Sequence, residues 1–225
     1  MSFNASSTVP FTRHHGGIVF GKGGKTLNAI KLRFQCDIQP QDPNPLFGHE
    51  TQFFLIKGPH LKAVNLATLE IYRDVVGRDA KGWLSSSLRS TPKTIDLIAE
   101  EGLTFFCDLL NDDQPYLVKT RSGKDIVSIP YTSEVNDFTV FLRQGKDVEG
   151  AFAVFKEQFD WLYEESRKSG RHMNIGLHPH VIGQPFRIRA LKEFLKYLNQ
   201  FKDIWFPTRE ELADWYLENH ENHIS

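Results

Sequence analysis

Two stretches of the 225-residue chain carry residues whose types and spacing could do chemistry. The first is Gly17-Ile-Val-Phe-Gly-Lys-Gly-Gly-Lys-Thr-Leu-Asn-Ala-Ile30, a Gly-Lys-Gly-Gly loop set directly before a helical apolar stripe. Glycines let a backbone approach a ligand closely. A helix N-terminus offers unpaired N–H groups to a phosphate, and Lys22 and Lys25 add positive charge there. Gly21 to Thr26 does not make the spacing of a nucleotide-binding P-loop. The second stretch is Gly176-Leu-His-Pro-His180. On a strand His178 and His180 would share a face and could bind a metal, whereas Pro179 between them favours a loop. Asp112-Asp113 is either a pocket pair or a turn before Pro115. Trp83 is either core or pocket wall. His14-His15 and Ser85-Ser-Ser87 read as loops, and no base is placed to activate a serine.

These residues need elements to hold them. Leu27, Ile30 and Phe34 recur at helical spacing after the glycine loop. Gln39–Gly48, with three prolines, reads as a loop, and Gln52–Ile56 as a strand ending at Gly58. The pattern over 61–76 predicts a helix apolar on two faces. Beyond Gly77, helices are predicted over 95–101, from Val148 to near Gly170, around Ile188–Leu198, and from a capping box at Thr208-Arg-Glu-Glu211. Strands are predicted over 103–109, 126–129, 173–177 and 204–206. Such alternation argues for parallel βα units.

Composition narrows the classes. Net charge is −1, so no global field favours nucleic acid or a membrane, but residues 1–77 hold 8 Lys+Arg against 5 Asp+Glu and the remainder 19 against 23. The first part is therefore the more basic. Cys36 and Cys107 are far apart and in no metal-ligand spacing, which fits a reducing compartment. No apolar run approaches the ~20 residues of a membrane span, and the first residues lack signal-peptide character. A cytoplasmic or nuclear protein without membrane contact is expected.

Val9-Pro10, Gly21-Lys22-Gly23-Gly24, Leu27, Ile30, Phe34, Ile38, Phe54-Leu-Ile-Lys-Gly58 and Ala63-Val64 with Ala67 together resemble a type I KH domain over residues ~8–77. The resemblance implies a βααββα module whose loop clamps the backbone of about four unpaired nucleotides. Gly21, Lys22, Gly23, Gly24 and Lys25 would form the clamp. Ile18, Val19, Leu27, Ile30 and Ile38 would line a groove for bases, and Arg13, Lys31 and Arg33 would stand at its rim. The implied partner is single-stranded RNA or DNA.

Gly77–Leu84, Asn111–Pro115, Pro130–Asp137, Gly176–His180, Gly183-Gln-Pro-Phe-Arg187 and Trp205–Glu211 resemble the C-terminal half of a polysaccharide-deacetylase (NodB-type) domain, in its allantoinase- and peptidoglycan-deacetylase-like subgroup. In that family a metal-bound water attacks a carbonyl and a histidine protonates the leaving nitrogen. The resemblance makes His178 that acid, Asp112 and Asp113 its orienting pair, Trp83 a pocket wall, and Glu134 and Asn136 substrate contacts. The family's metal-binding Asp, His-x-x-x-His pair and catalytic Asp belong to the half not matched here, and residues 1–77 contain no His-x-x-x-His. The expected architecture is α/β: a KH module over 1–77, then a partial, incomplete parallel (β/α) barrel over 78–225. No metal ligand is expected in this chain. A divalent metal such as zinc would enter only if another chain supplied the missing half, and the open barrel edge would invite a second chain or self-association. Three readings follow: a nucleic-acid-binding protein with a deacetylase-derived body, a C–N hydrolase completed by a second chain, or a joined product without settled function.

Overall fold

A computed structural model describes residues 5–12, 25–41, 51–59, 61–85 and 88–223. Two compact units divide the chain, one of residues 1–104 with 119–126, the other of 105–118 with 127–225.

The first unit opens with strand β1 (Ala5–Thr12), helix α1 (Lys25–Phe34), β2 (Asp37–Gln41), β3 (Thr51–Gly58) and helix α2 (Leu61–Val76). The strands form an antiparallel sheet in the order β1-β3-β2, with Ala5 opposite Gly58 and Ile38 opposite Ile56. Both helices bury an i, i+3/i+4 stripe in one core: Leu27 and Ile30 from α1, Val64, Ala67 and Ile71 from α2, with Cys36, Ile38 and Ile56. The other apolar stripe of α2 is only half-buried, and its Val76 is 47% exposed. Two helix ends are set by left-handed residues. Gly77 (φ 78°) donates to Arg73 O at 2.8 Å, and Gln35 (φ 54°) lets Cys36 N reach back to Lys31 O at 3.1 Å. The unit also contains β4 (Gly82–Trp83) and helix α3 (Thr94–Glu100), with Lys62 paired to Glu100 at 3.4 Å.

A second sheet has β5 (Phe105–Phe106) paired in parallel with β7 (Asp125–Ser128), Phe105 opposite Val127, and β6 (Tyr116–Lys119) beside β7 on its other side. The other elements of the second unit are helical. A π-helix (Phe138–Arg143) follows, then α4 (Val148–Glu165), the short α5 (Pro179–Ile182), α6 (Ile188–Leu198) and α7 (Arg209–His223). Helix α4 starts where Asp147 caps the N–H of Gly150 at 2.8 Å. Phe155 and Phe159 of α4 interlock with Phe194 of α6 at ring separations of 5.7 and 6.3 Å. A smaller core joins Phe105, Cys107, Val127 and Ile129 to Ala213 and Tyr216 of α7.

The capping box is present as expected: Thr208 N donates to Glu211 Oε2 at 2.7 Å and Glu211 N to Thr208 Oγ1 at 3.2 Å. The strand expectations need correction. The strand over 103–109 shrinks to two residues, although Ile129 N still donates to Phe106 O and Tyr131 N to Leu109 O. The chains stay side by side there without a regular ladder. Residues 173–177 and 204–206 form no strand; Trp205 and Phe206 are 55% and 63% exposed. The four-residue strand β6 was not foreseen. Residues 42–48 of the expected loop lie outside the described residues.

Candidate functional site

The segment after Ile129 is laid against the segment after Gly170, and this places the chemistry of the second unit. Asp137, fully buried, directs its whole carboxylate to one residue. Oδ2 accepts the backbone N–H of His178 at 2.7 Å and Oδ1 meets His178 Nδ1 at 2.6 Å. A carboxylate can only accept, so Nδ1 carries the proton and Nε2 is the nitrogen left to take up or deliver one. The His178 side chain is 37% exposed, so the pair joins a buried anchor to an accessible ring. Gly176 O accepts Asp137 N at 2.9 Å and locks the two segments together. Asn136 donates from Nδ2 to Tyr131 Oη at 2.6 Å and accepts Phe138 N at 2.8 Å on Oδ1. The Phe138 ring lies 5.9 Å from that of His178, and the His180 ring 5.7 Å away on a T-shaped contact.

His172 ties a third segment in. Its Nδ1 lies 3.0 Å from Asp113 O and its Nε2 2.9 Å from Pro130 O. Burial, the largest influence, holds its pKa below the ordinary 6.5, against the two carbonyls, which favour the charged ring. The unfolded chain therefore takes up this proton first as pH falls. His172 leaves stability intact above the unfolded pKa and erodes it as pH drops through that value towards the folded one. Three of the four tryptophans, Trp161, Trp205 and Trp215, belong to the second unit and Trp83 to the first, so tryptophan emission of a Trp83→Phe background follows unfolding of the second unit. The denaturant midpoint is expected to fall between pH 7.5 and 5, and His172→Gln to flatten that slope; equal slopes in the two proteins would exclude His172 as its source.

The residues singled out from sequence are placed as follows. His178 is at the centre of the site, and Asn136 supports it through Tyr131 and Phe138. The carboxylate that holds His178 is Asp137, which closes the Pro130–Asp137 run but had no signal beyond its place there. Asp112, exposed, accepts the N–H groups of Asp113 and Gln114 on Oδ1 at 2.8 and 3.1 Å, a turn-forming role. The Asp113 side chain pairs with Arg171 at 3.4 Å, and its carbonyl serves His172. Glu134 is exposed beside the site. Trp83 is half-buried on β4 of the other unit and donates Nε1–H to Ser85 Oγ at 3.1 Å. Among the described residues no three His, Cys, Asp or Glu side chains gather as a metal-binding group. The Asp137 carboxylate is spent on His178. The described residues do not fit the divalent metal that the resemblance implies.

On the first unit, Gly21–Gly24, Arg13, Ile18 and Val19, with the first helix of the βααββα order, lie outside the described residues. Lys25 begins α1 and is exposed. Lys31 sits 3.7 Å from Asp37, and Arg33 donates to Glu70 at 3.1 Å. Ile30 and Ile38 are 1% and 0% exposed and belong to the packed core, not to an open groove.

Residues 6–73 match the KH-domain family model. Over 126 residues, 52% of this chain and 39% of the relative, the sequence is 32% identical to a Schizosaccharomyces pombe protein described as a polysaccharide deacetylase. The fold is similar to that of PuuE allantoinase, at 32% identity and TM-score 0.66 over 71% of this chain and 53% of that one. It is similar as well to a Pseudomonas aeruginosa PAO1 protein described as a polysaccharide deacetylase, at 32% identity and TM-score 0.64, covering 73% and 54%. The chain thus spans about half the length of these solved relatives and 39% of the curated one.

Proposed function

From a chain that joins a KH domain to a stretch homologous to polysaccharide deacetylases and an allantoinase, we infer a protein that binds single-stranded nucleic acid through the Gly21–Lys25 segment and carries a catalytically incomplete, half-barrel body. The observation that carries this reading is the KH match over 6–73, with a Gly-Lys-Gly-Gly run leading straight into the N-terminus of α1. A helix start offers unpaired N–H groups to phosphate, and Lys22 and exposed Lys25 supply charge at the same end. The β1-β3-β2 sheet with two packed helices is the scaffold such a clamp requires.

The test is fluorescence anisotropy of a labelled single-stranded RNA at two salt concentrations, using the full chain and a Lys22→Asp, Gly23→Asp variant. Binding should weaken with salt, and the variant should lose at least about tenfold in affinity, the scale of a charge-assisted contact turned repulsive. Equal binding by the two proteins would refute the reading.

The His178–Asp137 pair favours a second reading. A ring fixed at Nδ1 and accessible at Nε2 suits protonation of a leaving nitrogen, so the unit would serve C–N hydrolysis when another chain supplies the remaining groups. Hydrolysis by such a complex, abolished by His178→Asn, would rank this reading first.

A further inference from the structure

A cavity of about 630 Å³ lies within the second unit, and the His178–Asp137 pair takes no part in its lining. Helices α4 and α6 form two of its walls, and the runs 173–177 and 204–206, expected as strands, supply others. Its inner lining is apolar: Phe159, Leu162, Phe194 and Leu198 are buried. Four more of its side chains, Leu177, Leu195, Trp205 and Phe206, are large, apolar and exposed. Exposed apolar side chains gathered at one cavity mark a binding site, whereas scattered ones do not. The volume falls in the ~300–1,000 Å³ range of small-molecule sites.

The polar side chains of the lining are engaged, with one exception. Arg171 pairs with Glu165 at 3.1 Å and with Asp113 at 3.4 Å, and both ring nitrogens of His172 meet carbonyls. Asn174 donates to Pro130 O at 2.9 Å, Ser166 Oγ to Tyr163 O at 2.7 Å, and Thr208 Oγ1 to Glu211 Oε2 at 2.8 Å. The carboxylate of the lining, Asp203, accepts the Tyr163 hydroxyl, 3.0 Å from both its oxygens. The exception is Arg209, half-buried at the start of α7. Among the described residues it makes no hydrogen bond and no ion pair. A half-buried cation beside apolar walls is stabilised by an anion, and the planar fork of a guanidinium matches the two oxygens of a carboxylate.

We propose that this cavity binds a fatty carboxylate, its chain against Phe159, Phe194 and Leu198 and its headgroup on Arg209. Burial of the chain supplies the affinity, and the guanidinium selects the anionic headgroup over a neutral one. The site stands apart from nucleic-acid recognition and from proton transfer at His178. It holds whether or not the Gly21–Lys25 segment binds RNA.

The test is isothermal titration calorimetry on the full chain with octanoate, neutral octanol and acetate, which present head and chain together, chain alone and head alone. Octanoate is expected to bind saturably at one per chain. Octanol should bind at least about tenfold more weakly, the value of one charge-assisted pair, and acetate should give no saturable signal. Arg209→Gln should bring octanoate down to the level of octanol. Leu195→Asp, which puts a like charge at an exposed position of the lining, should weaken octanoate more than octanol. Equal affinity for octanoate and octanol in the native chain overturns the proposal, as does acetate matching octanoate or the absence of saturable binding. So does octanoate binding that both folded variants leave unchanged. A chain that self-associates in sedimentation velocity and takes up no octanoate gives the exposed apolar rim to a second copy, which also overturns it. The comparison of ligands on the native chain stands even if a variant fails to fold.

Discussion

Replacing Gly176 with alanine is expected to cost the second unit about 3 kcal/mol, near the upper end of overpacking penalties. A Cβ at this position would stand 1.8 Å from Tyr131 Oη and 2.5 Å from Asn136 Nδ2. Neither can yield freely. Their mutual bond of 2.6 Å fixes them, and Asn136 also caps Phe138 N. The backbone of Gly176 cannot retreat without breaking the Asp137 N–Gly176 O bond of 2.9 Å. Removing the colliding hydroxyl should restore part of the loss, so Tyr131→Phe with Gly176→Ala should be more stable than Gly176→Ala alone. Urea denaturation followed by tryptophan emission in the Trp83→Phe background measures both. A Gly176→Ala change within about 0.5 kcal/mol of the native chain, the range of a neutral surface substitution, would mean that the two segments are not packed this way.

The second large effect is expected at Asp137. Truncation to alanine strands the His178 backbone N–H and the Nδ1 proton in a site where the carboxylate is fully buried. Each unsatisfied buried donor costs about 1–3 kcal/mol, so Asp137→Ala should destabilise by about 3 kcal/mol or more. Asp137→Asn keeps the shape, can still accept the His178 backbone N–H and can donate its NH2 to Nδ1 of the other imidazole tautomer, so it should recover much of the stability while moving the ring proton to Nε2. Combining Asp137→Ala with His178→Ala removes the stranded ring donor and should give a double variant less destabilised than the sum of the two single changes. Strict additivity in that cycle would rule out the coupling.

What the sequence revealed and what it hid have different physical sources. Helices α1, α2, α4 and α6 were legible because each buries a stripe at 3.6-residue spacing. The start of α7 was legible because Thr208 and Glu211 satisfy each other locally. The strands over 173–177 and 204–206 were misread because a short, mostly apolar run also suits an irregular segment held by side chains. Asn174 Nδ2 and His172 both reach Pro130 O at 2.9 Å, and these are long-range bonds that no local window encodes. His178 stood out by type, but its partner Asp137 lies 41 positions away in sequence, and only the packing of Gly176 against Tyr131 and Asn136 brings them together. The π-helix has no sequence period of its own, so the placing of Arg143 on Phe138 could not be read at all.

The two cysteines acquire a use that follows from where they lie. Cys36 sits in the core of the first unit and Cys107 in the smaller core of the second, both unpaired and shielded. Burial pushes the Cys107 thiol up to about 11 and raises that of Cys36 as well. Neither is reactive until its surroundings open. Each unit thus carries a built-in clock, and the rate at which a thiol reagent modifies one cysteine, then the other, reads the local opening of the two halves separately within one molecule.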